Sequence, residues 1–171
     1  MNYRTHRLGG VCAGAMLAAN IIPDKNLPMM AGVMLTSYVG SLIPDIDEPN
    51  SVMGKKLPLL SKTLKWLFKH RGIVHTPLFC LIIYFGFKYL LRSFVPPDIL
   101  NPLMYGFLAG YLSHLLLDTI TPKGIMWLWP ISQSYISTQS EWFVKLLLVV
   151  FTLIYFACKY DFLEYVKQML L

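Results

Sequence analysis

Charge is scarce in this chain. Only 14% of its 171 residues are Asp, Glu, Lys or Arg, and nine are acidic. Soluble domains carry about 25% charged residues, so an ordinary water-soluble globular domain is excluded. Cysteine is nearly absent. Cys12, Cys80 and Cys158 each fall in a different apolar segment and form no C-x-x-C pair. That excludes a disulfide framework or a thiolate metal cluster, and leaves them as small packing residues. There is no H-E-x-x-H of a zinc protease, no G-x-S-x-G elbow, and no serine at a nucleophile turn. Internal repeats and low-complexity stretches are missing as well.

Hydrophobic residues make up 56% of the chain, and the mean hydropathy is +0.53. The apolar segments are Leu8–Ile22, Leu27–Ile43, Ile73–Leu91, Leu100–Ile120 and Trp142–Cys158. A helix needs roughly 20 residues to cross a hydrocarbon core of about 30 Å, and the last three segments approach that length. The first two are shorter and rich in Gly and Ala, which suits close helix packing inside a bundle. The expectation is an all-α fold: one domain over residues 1–171, a polytopic membrane helix bundle with about five transmembrane helices. Arg4, His6 and Arg7 before an Ala-rich stretch also fit a signal peptide cleaved near Ala18-Ala19, and cleavage would discard His6.

With the N-terminus on side A, that side holds Arg4, Arg7, Lys55, Lys56, Lys62, Lys65, Lys69, Arg71 and Lys123. Side B holds Lys25, Lys88, Arg92, Lys159 and Lys167, and Lys145 lies just inside the last helix. The excess predicts side A in the cytoplasm. Between Pro44 and Gly72 the pattern predicts an interfacial amphipathic helix, Leu59 to Lys69. Leu60, Leu64, Leu67 and Phe68 form its apolar arc, with Lys62, Lys65 and Lys69 opposite. Such a helix lies in the headgroup layer and is drawn to anionic lipid. Asn101-Pro102 reads as the start of helix four after a Pro96-Pro97-Asp98 turn. Trp127 and Trp129 read as an interfacial belt.

All four histidines, His6, His70, His75 and His114, fall at helix ends that this topology brings to side A. Asp45, Asp47 and Asp118 accompany them. Imidazole and carboxylate are the ligands that hold zinc and similar divalent ions. His114 and Asp118 are four apart, on one helical face, as two ligands or as a ligand and its orienting carboxylate. Ionisable groups at membrane depth are functional by default, although a His–Asp pair can also simply satisfy itself inside a bundle. Asp45-x-Asp47 after Pro44 can aim two carboxylates at one cation, or serve as turn chemistry alone. His70 and His75, five apart, converge only through a turn at Gly72. Thr5 can cap the first helix and place His6 in its first turn. Arg71 offers a planar fork for a phosphate. Side B has Asp24, Asp98, Asp161 and Glu164 but no histidine, which weighs against an ion path through the bundle.

Taken in order, Thr5-His6, Leu42-Ile43-Pro44-Asp45-Ile46-Asp47, His70-Arg71-Gly72-x-x-His75 and Gly110-Tyr111-Leu112-Ser113-His114-x-x-x-Asp118 form a set. With Thr121-Pro122-x-Gly124 and Leu128-Trp129-Pro130, it resembles the YdjM family of inner-membrane proteins described as metal-dependent hydrolases, some of them LexA-regulated. The likeness runs from about residue 4 to 130. That family is in turn distantly similar to zinc-dependent phospholipase C and nuclease enzymes. Members commonly carry Thr or Phe-Thr before the second histidine of the third motif, where this chain has Ile73-Val74 before His75. The resemblance implies a membrane-bound hydrolase and brings no substrate with it; the one-sided convergence of His and Asp favours a phosphoester or lipid-linked bond. The ligands would come from His6, Asp45, Asp47, His70, His75, His114 and Asp118. One or two divalent ions would be held, zinc first and manganese or magnesium as alternatives. Asp47 or Asp118 would take a proton and Arg71 would hold the anionic group. The competing expectation is a metal-binding protein without catalysis, for ion transport or sensing. A third is a structural anchor whose polar groups only finish helices. No nucleic-acid partner is indicated.

Overall fold

A computed structural model describes residues 3–22, 26–68 and 72–135. The chain divides into two compact units, Met1–Thr138 and Gln139–Leu171. The described residues belong to the first, so the expected last helix, Trp142–Cys158, lies outside them. The elements are helices α1 (Tyr3–Ile21), α2 (Leu27–Gly40), α3 (Val52–Lys56), α4 (Pro58–Phe68), α5 (Pro77–Leu91) and α6 (Pro97–Thr119). Two 3₁₀ turns, Pro44–Asp47 and Ile73–His75, interrupt them, and no β-strand occurs among the described residues.

Local chemistry sets most of these boundaries. Asn26 caps α2 by accepting from the Met29 N–H at 3.2 Å, with Pro28 in the first turn. Thr76 does the same for α5 through the Phe79 N–H at 3.2 Å, with Pro77 first in the helix. Ser51 caps α3 through the Gly54 N–H at 2.8 Å. Two expected starts move. α1 begins at Tyr3, so Thr5 lies inside the helix rather than at its cap. α6 begins at Pro97, and Pro102 lies inside it. Pro97 has the φ that a first helical position needs, and Pro102 forfeits a single backbone bond to the Asp98 carbonyl near the helix start.

α1, α2 and α6 pack against one another, and α5 packs on α6. The spacing of small residues explains the first contact. His6, Gly10, Gly14 and Ala18 are buried at four-residue steps along α1, and Gly106, Gly110, His114 and Asp118 are buried at the same steps along α6. Residues four apart share a helix face. A Cβ on Gly110 would collide with the Ser37 carbonyl of α2, and one on Gly40 with the Phe107 carbonyl of α6. The two backbones meet at a distance that glycine alone allows, as close-packed membrane helices do. Ser37 Oγ donates to the Gly10 carbonyl at 2.6 Å and ties α2 to α1. A second face of α6, Leu100, Met104, Phe107, Tyr111 and Leu115, forms the apolar core with Cys80 and Tyr84 of α5. A smaller core of Ala18, Ile22 and Val33 lies where α1 passes to α2.

Among the described residues, the helical stretch Leu27–Asp47 is long and apolar enough to cross a membrane, and α5 is apolar but shorter. Five transmembrane helices are therefore not established. The helices α1 and α6 are long, yet their inward stripes carry Gly, Ser, His and Asp, which lowers their apolarity. The amphipathic helix spans Pro58–Phe68, with Lys62 and Lys65 of the expected basic side exposed and Lys69 outside the described residues. Leu64 and Phe68 are half-buried beside the buried Ser61, and Leu59, Trp66 and Leu67 are exposed. After α6 the chain turns at Gly124, whose φ of 64° lies in the left-handed region. It returns Ile125 and Met126 to the interior. Trp127 is only partly exposed, and its Nε1 donates to Thr119 Oγ1 at 2.8 Å.

Candidate metal centre

One end of the α1–α2–α6 bundle gathers His6 from the first turn of α1, Asp45 and Asp47 from the turn after α2, His75 from the turn before α5, and His114 and Asp118 from the end of α6. The small-residue stripes lead there directly. Gly110 brings α6 against α2, and His114, one turn further on, then reaches the last residues of α2. His70 and Arg71 lie outside the described residues.

Asp118 stands at the middle of the cluster. Its Oδ1 is 3.4 Å from His6 Nε2, and its Oδ2 is 3.5 Å from both His75 Nε2 and His114 Nε2. Asp45 Oδ1 also approaches the last two nitrogens, at 4.0 Å and 3.8 Å. The His6 and His114 rings stack with centroids 3.9 Å apart, and His75 meets His114 edge-on. His6, His75, His114, Asp47 and Asp118 are buried, whereas the Asp45 side chain keeps 21% of its exposure and opens the cluster to its surroundings.

Two backing groups aim the imidazoles. His114 Nδ1 lies 2.7 Å from the Ser41 carbonyl. A carbonyl can only accept, so Nδ1 carries the proton and Nε2 presents its lone pair to the cluster. Asp47 Oδ2 stands 3.4 Å from His75 Nδ1, behind that ring, and turns its Nε2 inward likewise. The Tyr111 hydroxyl donates to the Val74 carbonyl and pins the residue just before His75. Ser51 Oγ donates to the Asp45 carbonyl at 2.7 Å and holds the acidic turn. Burial lowers the His75 pKa from its ordinary 6.5, against the opposing pull of Asp47. The ring is neutral at pH 7, as a metal ligand must be.

The residues present fit a divalent cation. Nitrogen–oxygen separations of 3.4–4.0 Å across the cluster are longer than ordinary hydrogen bonds. Two donors each about 2.0–2.1 Å from one ion stand about 3.4 Å apart at a tetrahedral angle. Buried His114 Nε2 makes no hydrogen bond among the described residues, although burial without a partner is costly. Two ligand sets meet the spacing, His6 with His114 and Asp118, and Asp45 with His75 and His114, each with donor atoms within 4.8 Å of one another. Both share His114. Asp47 belongs to neither and acts from behind His75.

Sequence reasoning missed the Ser41 carbonyl and the Tyr111 clamp. A backbone carbonyl has no residue identity to read, so no signal could have pointed to Ser41. Tyr111 is three residues before His114 on α6, a visible spacing whose partner on the α5 side was not.

This chain is 43% identical over 100 residues to the inner membrane protein YdjM of Escherichia coli (strain K12), a match covering 57% of this chain and 49% of that protein. The YdjM protein of Shigella flexneri matches to the same extent. An uncharacterized protein of Bacillus subtilis (strain 168), YvsG, is 35% identical over 130 residues, covering 76% of this chain and 74% of that one. No solved structure matches. The chain spans about half the length of the YdjM relatives it matches. The model of the family described as YdjM inner membrane protein matches residues 1–168, and the chain belongs to that family of the bacterial inner membrane.

Proposed function

We propose that the protein is a membrane-bound, metal-dependent hydrolase of a phosphoester or lipid-linked substrate. The observation that carries this reading is the ring of His6, His75, His114, Asp118 and Asp45 donors at ligand spacing rather than hydrogen-bond spacing. Those residues would hold one or two divalent ions. Zinc suits the imidazole–carboxylate set best, with manganese or magnesium as alternatives. When bound, such an ion supplies Lewis acidity, polarising a phosphoryl oxygen and acidifying water.

The chain's own groups divide the remaining work. Asp47 and the Ser41 carbonyl fix the tautomers of His75 and His114. Sequence alone offered Asp47 or Asp118 as the proton acceptor. Asp47 is engaged behind His75, and Asp118 is enclosed by three imidazoles. Asp45, with partial exposure, is the carboxylate that solvent reaches, so the proton of an attacking water passes there. Arg71, four residues before His75 in the chain, is the candidate to grip the anionic group of the substrate. With several membrane crossings, the excess of Lys and Arg on the side that carries these motifs would make the site cytoplasmic.

The test is hydrolysis by the purified, metal-loaded protein across a panel of phosphodiesters and phospholipids. Turnover that a chelator removes and the same ion restores supports the reading. No turnover of any panel member with metal bound would overturn the reaction class. The enclosure of Asp118 and the three histidines favours a second reading, a metal-binding protein without catalysis. Metal uptake into liposomes, abolished by His114→Ala, would decide for transport.

A further inference from the structure

Nothing in the metal centre uses α4, although it is among the most unusual surfaces of the described chain. Leu59 and Trp66 are each 82% exposed, and Leu67 is 53% exposed. Leu59 and Trp66 are seven residues apart, as are Leu60 and Leu67, so they form two adjacent rows along one side of the helix. Water penalises such a stripe, and contiguous exposed apolar surface marks a contact site. The helix is held by its other side. Ser61 is buried, Leu64 and Phe68 are half-buried, and Lys65 Nζ bonds Glu48 Oε2 at 2.8 Å beside the acidic turn.

Charge identifies the occupant. From Ser51 to Gly72 the sequence contains Lys55, Lys56, Lys62, Lys65, Lys69 and Arg71 and no acidic residue. Lys55, Lys56 and Lys62 are exposed, and Lys62 lies one turn before Trp66. A second copy docking symmetrically would bring like charges together. Residues 139–171 carry Glu141, Asp161 and Glu164 against Lys145, Lys159 and Lys167, a balance with no net charge to offer. An anionic bilayer surface satisfies both features, accepting the apolar rows below and the lysines at headgroup level.

We propose that α4 is a lipid-reading helix: Leu59, Trp66 and Leu67 bed in the acyl boundary, and Lys55, Lys56 and Lys62 hold anionic headgroups. Its attachment by Lys65 to the turn bearing Asp45 fixes that turn at the membrane surface. The inference stands whether or not the metal centre is catalytic.

The full chain in vesicles tests it, with the Trp66 signal isolated as the fluorescence difference between wild type and Trp66→Phe. Residue 66 is exposed, so that substitution leaves the fold unchanged. With acyl-brominated lipid the Trp66 component should lose about half its intensity or more, as for a side chain about 5–10 Å below the headgroup surface, and aqueous acrylamide should barely affect it. Brominated phosphatidylglycerol should quench it more than brominated phosphatidylcholine at equal bulk fraction, with about fivefold local enrichment for one lysine. Lys62→Ala should reduce that preference. Quenching by acrylamide alone would place Trp66 in water and overturn the proposal. Protection from both quenchers would mean that protein covers the helix, a second copy or residues 139–171, and would overturn it equally. Equal quenching by the two lipids would remove the anionic specificity.

Discussion

The α1–α2–α6 bundle and the helices around it solve opposite problems. Inside the bundle the contact faces are Gly, Ser, Ala and His, and the backbones approach until a single added carbon collides. On α5 the outward residues Leu81, Ile82, Phe85, Tyr89 and Leu90 are exposed, and a Cβ on Gly86 would meet nothing within 4 Å. The first region trades apolar area for proximity, and the second keeps apolar area outward. The candidate metal centre belongs to the first region because fixed donors need fixed backbones. Its acidic turn and His75 are supplied by the connections to the second.

Paired glycine substitutions test this contrast most severely. Gly110→Ala should destabilise by about 3 kcal/mol, through forced separation of α6 from α2. Gly86→Ala should leave stability unchanged or raise it by up to about 1 kcal/mol through helix propensity. Thermal unfolding in one detergent measures both, and similar effects at the two sites would erase the distinction.

Next in size is Asp47→Asn, which keeps the shape behind His75 and removes the carboxylate that fixes its tautomer. Metal affinity, read by competition with a chelator, should fall about 10–100-fold with the fold retained. A loss of that size would set Asp47 apart from the direct donors, whose removal should abolish binding.

Acidification gives a smaller, graded effect. The folded chain holds His75 neutral, its pKa lowered by burial, whereas the unfolded chain protonates it near the ordinary 6.5. The unfolded state therefore binds more protons, and the stability of the metal-free protein should decline as pH falls through 6.5. Thermal melts across that range check the sign. Smallest is Lys65→Ala. Its pair with Glu48 is partly exposed, and its loss should cost about 1 kcal/mol or less.

Much of this architecture was legible because ligand-type residues are so few. Of the four histidines expected at one face, His6, His75 and His114 come together with Asp45, Asp47 and Asp118, and His70 lies outside the described residues. The Gly and Ala content of the first segments pointed to close packing, but not to the register in which Gly110 meets Ser37. Helix starts were misjudged where prolines compete, since Pro97 and Pro102 both look like first residues and the earlier one wins. Periodicity showed that α4 is amphipathic, but not that Leu64 and Phe68 of its apolar arc would be half-buried while Leu60 and Leu67 stay exposed. Ser51, Ser41 and Tyr111 act on backbone carbonyls or through them, and such partners leave no pattern in the sequence.

The central claim is that the His and Asp donors share a metal ion. Elemental mass spectrometry of detergent-purified protein tests it directly, with wild type beside His114→Ala and Asp45→Ala. The account predicts one or two equivalents of a divalent metal in wild type and loss in both variants, His114→Ala losing it most completely because both ligand sets share that residue. Wild-type protein without metal, even after reconstitution with zinc or manganese, would contradict it.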